Sequence, residues 1–215
     1  SAPATGDIQT IVYHVNADIL DGTEEIVSAA SCTTNCLAPV LSVLEKEYGI
    51  EKGYMTTIHA DTNDQVTLDV AHKKGIQARR GRACGMNIVP TSTGAAKAIG
   101  KVIPSLNGKM KGGAMRVPVS DGSLVDLTLQ LKKNVTVSEI NDLFKANVNE
   151  TLHYTDDPIV SSDIISSTCG ATVDGNLTDV LDGENGQLVK VLAWYDNEMG
   201  YSAQMVRTAK KLISL

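Results

Sequence analysis

The chain has 215 residues, of which 42% are hydrophobic and 20% charged, as is usual for a globular protein with a substantial core. With 19 basic residues against 25 acidic ones, the net charge of −6 argues against nonspecific nucleic-acid binding. The sequence has no apolar run of the roughly 20 residues that span a bilayer, and no signal segment at its start. We therefore expect a cytoplasmic protein with neither a membrane nor a nucleic acid as partner.

The first 31 residues look like the end of a domain rather than the start of one. A loop leads into a predicted strand over 10–15, and a turn-rich stretch follows that strand. A strand–G-x-G-x-x-G–helix unit, which would bind the pyrophosphate of a dinucleotide, is missing from the sequence.

The rest of the chain mixes helices and strands without strict alternation. After a predicted helix over 32–48 and a strand over 53–59, residues 61–82 are polar and basic, which predicts a long functional loop. Further helices are predicted over 93–102, over 137–149 with Ser138 as N-cap, and over 199–215. Further strands are predicted over 115–119, over 123–132, near Ile164 and over 188–195. This order predicts an α+β fold with a mixed, largely antiparallel sheet covered by helices.

The cysteines of the chain are Cys32, Cys36, Cys84 and Cys169. The C-x-x-x-C spacing of the first two differs from the C-x-x-C of zinc and dithiol-redox sites. On a helix, this spacing suits neither a zinc cage nor an easy disulfide. We therefore expect four free thiols in a reducing compartment, and no metal site.

The most informative segment is S-A-A-S-C-T-T-N-C-L-A-P, residues 28–39. Cys32 lies where an extended apolar run stops and a helical run begins, with hydroxyl groups of Ser31, Thr33 and Thr34 beside it. Backbone N–H groups at a helix start favour thiolate over thiol and can hold an anion, so the segment suits a reactive cysteine. From these residues alone, a buried structural cysteine is an equal alternative.

A base for this thiol is available in His59, which ends the predicted strand T-T-I-H, 27 positions after Cys32. A nucleophilic cysteine needs a nearby base, and a cysteine–histidine pair can exist as thiolate and imidazolium. Spacing alone does not show that the two side chains meet, and a histidine at a strand end is often only structural.

Phosphate recognition needs convergent hydroxyls, backbone amides and a guanidinium. Residues of these types occur beside the thiol and in the segments H-A-D-T-N-D, T-S-T-G and M-R-V-P; they are Ser31, Thr33, Thr62, Thr93, Gly94 and Arg116. Singly, each has an ordinary alternative, because a threonine before glycine often caps a helix and a strand arginine is often only solvated.

Taken together, these motifs resemble those of the phosphorylating glyceraldehyde-3-phosphate dehydrogenase family. Besides S-A-A-S-C-T-T-N-C-L-A-P, the resemblance covers T-T-I-H-A-D-T-N-D-Q, N-I-V-P-T-S-T-G-A-A-K-A-I-G, L-N-G-K, R-V-P-V and W-Y-D-N-E-M-G-Y-S. The motifs are long, occur in the family's order and extend along nearly the whole chain.

The resemblance implies a role for each candidate residue. Cys32 would form a thioester and His59 would be the base, in an NAD-dependent oxidation of glyceraldehyde 3-phosphate with phosphate to 1,3-bisphosphoglycerate, a step of glycolysis. The implied anion sites are Thr62 and Arg116 for the substrate phosphate, and Ser31, Thr33, Thr93 and Gly94 for inorganic phosphate, with Arg80 nearby. Asn197 and Tyr201 match positions that orient the nicotinamide.

The resemblance also implies a domain organisation. Residues 1–31 would be the last strands of an NAD-binding domain, 32–196 the catalytic domain, and 197–215 a helix that packs on the NAD-binding domain. The family's main dinucleotide-binding unit is not in the sequence. We therefore expect this chain alone to bind NAD poorly and to be inactive, although the intact family forms homotetramers.

Departures from the family pattern leave the candidate site intact but affect loops. His14 and Ala17 stand where V-Y-G-V-N-H is usual, and A-H-K-K-G-I-Q-A replaces P-H-K-D-L. Three alternative functions stay open at this point. They are a sister dehydrogenase of another aldehyde phosphate such as erythrose 4-phosphate, a cysteine hydrolase, and a noncatalytic binding or assembly module.

Overall fold

The computed structural model of the chain describes residues 4, 6–66 and 68–215. Its strands are β1 Ile50–His59, β2 Val89–Ser92, β3 Met110–Arg116, β4 Ser123–Leu131, β5 Leu152–Thr155, β6 Ala171–Asp174, β7 Asp179–Gly183 and β8 Gly186–Tyr195. Among the described residues they form an eight-stranded sheet in the order β2-β3-β1-β4-β8-β6-β5, and β7 also pairs with β8.

The sheet is mixed and mainly antiparallel. β1 pairs in parallel with β3, and β5 pairs in parallel with β6. The other neighbouring strands of the described sheet are antiparallel. In β4 every second side chain, from Ser123 to Leu131, is buried, which is the pattern of a strand with one face on the core. The predicted α+β fold is therefore confirmed.

Helix α1, Cys32–Glu47, places the cysteine segment on this sheet. Ser31 caps the helix, because its Oγ accepts a hydrogen bond from the Thr34 N–H at 3.2 Å. Leu37 and Leu41 are completely buried in the core, and the helix packs on β6 and β8. Since Cys32 is the first residue of α1, the packing of this helix decides where the thiol lies.

The same helix comes very close to the segment that precedes β6. Pro39, inside α1, has no N–H to offer to the Asn35 carbonyl one turn earlier. A Cβ atom built on Gly170 would lie only 2.7 Å from that carbonyl oxygen. Helix and sheet therefore approach each other at backbone distance at this point.

The remaining helices are α2 Ala95–Val102, α3 Val137–Ala146 and α4 Met199–Ile213. The N-cap predicted for α3 at Ser138 is wrong, because Thr136 is the cap. Thr136 Oγ1 accepts the Glu139 N–H at 3.2 Å, and the Glu139 carboxylate accepts the Thr136 N–H at 2.8 Å. This reciprocal capping box satisfies two backbone donors, which a cap at Ser138 would not do.

The strand predicted over 10–15 is also wrong. Thr10 makes a single isolated bridge to Ser28, and the chain then turns at His14, whose φ is 62°. The Asn16 side chain closes this turn, accepting from the Val12 N–H at 2.8 Å and donating to the Thr10 carbonyl at 2.9 Å. The side-chain amide of Asn16 thus satisfies backbone groups of Thr10 and Val12 beyond the single bridge to Ser28.

Two further predictions differ from the structure. The strand predicted near Ile164 is wrong, because Ser161–Ile164 is a 3-10 helix. The loop predicted over 61–82 contains three short 3-10 helices, Asn63–Gln65, Gly75–Gln77 and Arg79–Gly81, and Thr67 within it lies outside the described residues.

In the part of the chain that the structure describes, every helix is too short or too polar to cross a membrane.

Candidate active site

The structure brings together the cysteine and the histidine that the sequence singled out. Cys32 begins α1 and His59 ends β1, and the Cys32 Sγ lies 3.4 Å from the His59 Nε2. The histidine is almost fully buried, whereas the cysteine is half-buried at the surface of the site. A thiol and an imidazole at this distance can exchange a proton directly.

His59 faces the sulfur with Nε2 and the guanidinium with Nδ1. Arg116 Nη1 has two hydrogens and three acceptors within reach, namely His59 Nδ1 at 2.7 Å, the Ala60 carbonyl at 3.0 Å and Thr62 Oγ1 at 3.1 Å. The Ala60 carbonyl also lies 2.9 Å from His59 Nδ1, so Nδ1 can donate to this carbonyl or accept from the guanidinium. With the ring hydrogen on Nδ1, Nε2 presents its lone pair to the Cys32 thiol.

Burial and a neighbouring cation keep this imidazole neutral. Desolvation, and then the charge of Arg116, lower the pKa of His59 from 6.5 to about 4. The Arg116 Nη1 lies only 2.7 Å from Nδ1, so its charge acts on the ring at contact distance. At neutral pH, the His59 imidazole is therefore unprotonated.

The thiolate expected from the helix start is not the resting form in this structure. Burial raises the pKa of the Cys32 thiol, and this outweighs the opposing effects of the Thr33 hydrogen bonds and the Arg116 charge. The pair is consequently a neutral thiol beside a neutral base. A thiol in this state would become a thiolate only by giving its proton to a base such as His59.

Arg116 and Thr62 form a buried cationic site next to this pair. Arg116 is 8% exposed and contacts both Thr62 and His59. Its Nε is buried and has no hydrogen-bond partner within the described residues, so one donor of the guanidinium is left unsatisfied. The structure thus brings Thr62 and Arg116 together beside His59, the neighbour of the Cys32 thiol.

The hydroxyls beside Cys32 are occupied within the protein. Ser31 caps α1 and also contacts Thr34 Oγ1 at 2.8 Å. The Thr33 Oγ1 lies 3.0 Å from the phenol oxygen of Tyr195, which in turn lies 2.7 Å from Thr57 Oγ1. Sequence analysis missed Tyr195, and only its place in the W-Y-D-N segment pointed to it.

The second group of predicted anion ligands lies around the start of α2. Arg80 donates to the Ser92 carbonyl at 2.8 Å and pairs with Asp64. Thr93 Oγ1 accepts the Ala95 N–H at 3.2 Å, which is a helix-start contact, and Gly94 precedes the helix directly. Arg80 is near enough to Arg116 for the charge of Arg116 to lower its pKa, after desolvation. The described contacts do not join Thr93 or Gly94 to Cys32 directly.

The predicted nicotinamide-facing residues lie at the start of α4. Asn197 is buried and receives a hydrogen bond from Ser123 Oγ at 2.6 Å. The Tyr201 hydroxyl is buried with no hydrogen-bond partner in the described part of the chain, and burial raises its pKa. Sequence reasoning missed Ser123 as well, since nothing marks it beyond its place at a strand start.

Disulfides and metal clusters are both missing from the described residues. The four cysteines are free thiols, as predicted. Within residues 4, 6–66 and 68–215, no three His, Cys, Asp or Glu side chains come together in a way that could hold a metal ion.

A helix-borne thiol, a buried imidazole and a buried guanidinium lie together on a mixed sheet, which is the set of groups that a protein with a cysteine nucleophile beside an anion site needs. The profile of one family, "Glyceraldehyde 3-phosphate dehydrogenase, C-terminal domain", matches residues 31–197. The chain therefore belongs to the glyceraldehyde 3-phosphate dehydrogenase family.

Individual relatives agree with this assignment. The chain is 57% identical over 208 residues to the glyceraldehyde-3-phosphate dehydrogenases of Clostridium pasteurianum and Clostridium acetobutylicum. It is 56% identical over 208 residues to the enzyme of that name from Streptococcus pyogenes. Each match covers 97% of this chain but only 62% of the relative, so the chain spans less than two thirds of the curated relatives' length.

Proposed function

We propose that this chain is the catalytic part of an NAD-dependent dehydrogenase that converts glyceraldehyde 3-phosphate and phosphate to 1,3-bisphosphoglycerate in glycolysis. The observation that carries the proposal is the 3.4 Å contact between Cys32 Sγ and His59 Nε2, with Arg116 beside it. A cysteine hydrolase would need the first two residues but has no use for a buried guanidinium with a free donor.

The proton movements follow from the protonation states of the pair. Cys32 Sγ adds to the aldehyde carbon while His59 Nε2 takes the thiol proton and returns it to the aldehyde oxygen. When the thiohemiacetal is oxidised, His59 accepts the hydroxyl proton and a thioester is left on Cys32. Phosphate oxygen then attacks the thioester carbon, the C–S bond breaks, and the thiolate of Cys32 regains a proton. N–H groups at the α1 start can stabilise the oxyanion.

Two anion sites serve the two phosphates in this proposal. Arg116 and Thr62 would hold the substrate phosphate, which is supported by their mutual contact and by the free donor at Arg116 Nε. Ser31, Thr33, Thr93 and Gly94 would hold inorganic phosphate, with Arg80 nearby. For Ser31, Thr33 and Thr93 this requires their hydroxyls to exchange a protein partner for the phosphate.

Asn197 and Tyr201 fit a nicotinamide ring as its polar contacts. The Tyr201 hydroxyl is buried without a partner among the described residues, and the Asn197 amide nitrogen has only the long 3.3 Å contact with Glu198. NAD, when bound there, supplies the hydride acceptor of the oxidation. Asn197 and Tyr201 would contact only the nicotinamide end of NAD, so we expect the chain alone to bind NAD weakly.

We also propose that residues 1–31 and the helix 197–215 belong with an NAD-binding domain, around the catalytic part 32–196. In support, Ile11, Ala17 and Leu20 form a small cluster against Leu212 of α4. The apolar side of α4 is otherwise open, with Ile213 85% exposed. The full protein would be a cytoplasmic homotetramer, and the 215-residue chain should self-associate through such surfaces.

The test uses acyl transfer, which needs no dinucleotide. The chain is incubated with 1,3-bisphosphoglycerate, and intact-mass spectrometry should show one phosphoglyceroyl group, located on Cys32 and released by hydroxylamine. Cys32→Ser should abolish this adduct and Arg116→Met should reduce it at least tenfold. Cys84→Ser is the matched control and should acylate normally.

Two outcomes would contradict the proposal. Acylation of Cys84 or Cys169 in place of Cys32 would remove the nucleophile assignment. Equal acylation by the acyl phosphate derived from erythrose 4-phosphate would favour the sister dehydrogenase. The same chain should show negligible NAD reduction with glyceraldehyde 3-phosphate, because the pyrophosphate and adenosine are not held.

A further inference from the structure

Ser123 occupies a central position that the proposed chemistry does not yet use. It is the first residue of β4 and is 1% exposed. Its partner in the β4–β8 pairing is Tyr195, directly before the segment that starts α4. Ser123 therefore lies between the end of β1, which carries His59, and the residues assigned to the nicotinamide.

The Ser123 hydroxyl joins these two parts of the site. Its Oγ accepts the N–H of Ala60, the residue after His59, at 3.1 Å. A hydroxyl has one hydrogen, and Ser123 donates it to Asn197 Oδ1 at 2.6 Å. One side chain thus links the backbone beside the base to the amide beside the cofactor position.

This bond also determines which end of the Asn197 amide is available. The bond from Ser123 turns Oδ1 toward β4, so the NH2 group of the amide points away from Ser123. One hydrogen of that group has the 3.3 Å contact with Glu198 Oε1, and among the described residues no partner is recorded for the other. A ligand group that meets this NH2 group must be an acceptor, as the carbonyl oxygen of the nicotinamide carboxamide is.

We propose that Ser123 is a positioning residue that holds Asn197 with its NH2 group toward the nicotinamide carboxamide oxygen, in register with His59. The inference rests on the proposed function, since it needs NAD as the ligand. Ser123 touches neither substrate nor cofactor and acts only through Asn197 and the Ala60 amide.

The test measures binding rather than turnover. In the full-length protein that contains this chain, calorimetry gives the NAD affinity of the parent, Ser123→Ala, Asn197→Ala and the double variant. Each single change should weaken NAD binding by about tenfold, the value of one good hydrogen bond. The double variant should bind NAD less than about twofold more weakly than Asn197→Ala alone, because the effect of Ser123→Ala passes through Asn197.

A cofactor analogue checks the polarity of the Asn197 contact. The 3-acetylpyridine analogue of NAD keeps the carbonyl oxygen but lacks the carboxamide NH2. Asn197→Ala should weaken the binding of NAD and of the analogue by the same factor. If Asn197→Ala weakened the binding of NAD but not that of the analogue, Asn197 would be accepting a hydrogen bond from the carboxamide NH2. That result would overturn the inference.

Controls separate positioning from folding. Ser123→Thr keeps the hydroxyl and should restore NAD affinity to within about threefold of the parent, since the bond geometry is retained. The exposed Ser138→Ala on α3 is the matched control and should leave affinity unchanged. In Ser123→Ala, hydrogen exchange at the Ala60 amide should accelerate at least tenfold, and glyceraldehyde 3-phosphate affinity should stay within about twofold.

The outcomes distinguish the two proposals. Independent, additive effects of Ser123→Ala and Asn197→Ala, or unchanged exchange at Ala60, overturn the inference and leave the proposed function intact. A parent protein that does not bind NAD overturns both.

Discussion

The lowered pKa of His59 makes the stability of the folded chain depend on pH. Because the folded-state pKa is about 4 against 6.5 in the unfolded chain, the unfolded state binds a proton that the folded state refuses between these values. Stability is therefore fully present above pH 6.5 and falls as the pH falls toward 4. Below about pH 4, His59 is protonated in both the folded and the unfolded state, and the unfolding free energy falls no further on its account.

The size of the effect follows from the difference between the two pKa values. Each pKa unit corresponds to about 1.4 kcal/mol, so His59 alone should cost roughly 2 to 3 kcal/mol of unfolding free energy between pH 7.5 and 4.5. His59→Asn removes the titrating ring and keeps an amide that can donate to the Ala60 carbonyl. Its stability should accordingly fall less steeply with decreasing pH.

Urea unfolding, followed through the fluorescence of Trp194, the single tryptophan, measures this difference. The quantity of interest is the change in unfolding free energy between the two pH values, parent minus His59→Asn. His153→Asn, which removes an exposed histidine of β5, controls for loss of an imidazole as such. A difference below about 0.5 kcal/mol, or one of opposite sign, would refute the buried neutral imidazole.

Three further expectations can be checked on the same chain. Iodoacetamide at neutral pH should modify Cys32 before the other thiols, and His59→Asn should slow this reaction at least tenfold without affecting Cys84; preferential labelling of Cys84 would count against the pair. Crystals grown in sulfate should show an anion on Arg116, and an arginine side chain that points to solvent would contradict the anion site. Thr136→Ala removes the α3 cap and should lower the unfolding free energy by about 1 kcal/mol in urea titrations. An unchanged unfolding midpoint would show that the cap does not stabilise the protein.

The long elements could be predicted because their own side chains carry the pattern. β4 alternates buried and half-buried residues from end to end, and α1 begins after a serine cap. The short strands β2, β5, β6 and β7 have no such pattern, because their pairing depends on neighbours far away in sequence. The turn at His14 could not be predicted from a residue pattern either, because the side-chain amide of Asn16 closes it. By contrast, the T-x-x-E spacing of Thr136 and Glu139 is a capping-box pattern, so the true N-cap of α3 can be found from the sequence.

The candidate site divides in the same way. Cys32 and His59 could be proposed from local motifs, but their contact joins residues 27 positions apart and follows from the packing of α1 on the sheet. Tyr195 and Ser123 make contacts that span 162 and 74 positions, so the residues around them in the sequence do not show which side chains they meet. Burial, which sequence does not show, raises the pKa of the Cys32 thiol, in the direction opposite to the effect expected of the helix start.

The close approach of α1 to Gly170 makes a remote position a part of the chemistry. A side chain at 170 would collide with the Asn35 carbonyl and lift α1 away from β6. His59 sits on β1 and would not follow this movement, so the gap between sulfur and imidazole would widen although neither residue had changed. A substitution at this glycine would therefore change the distance between Cys32 and His59 from a position outside the pair.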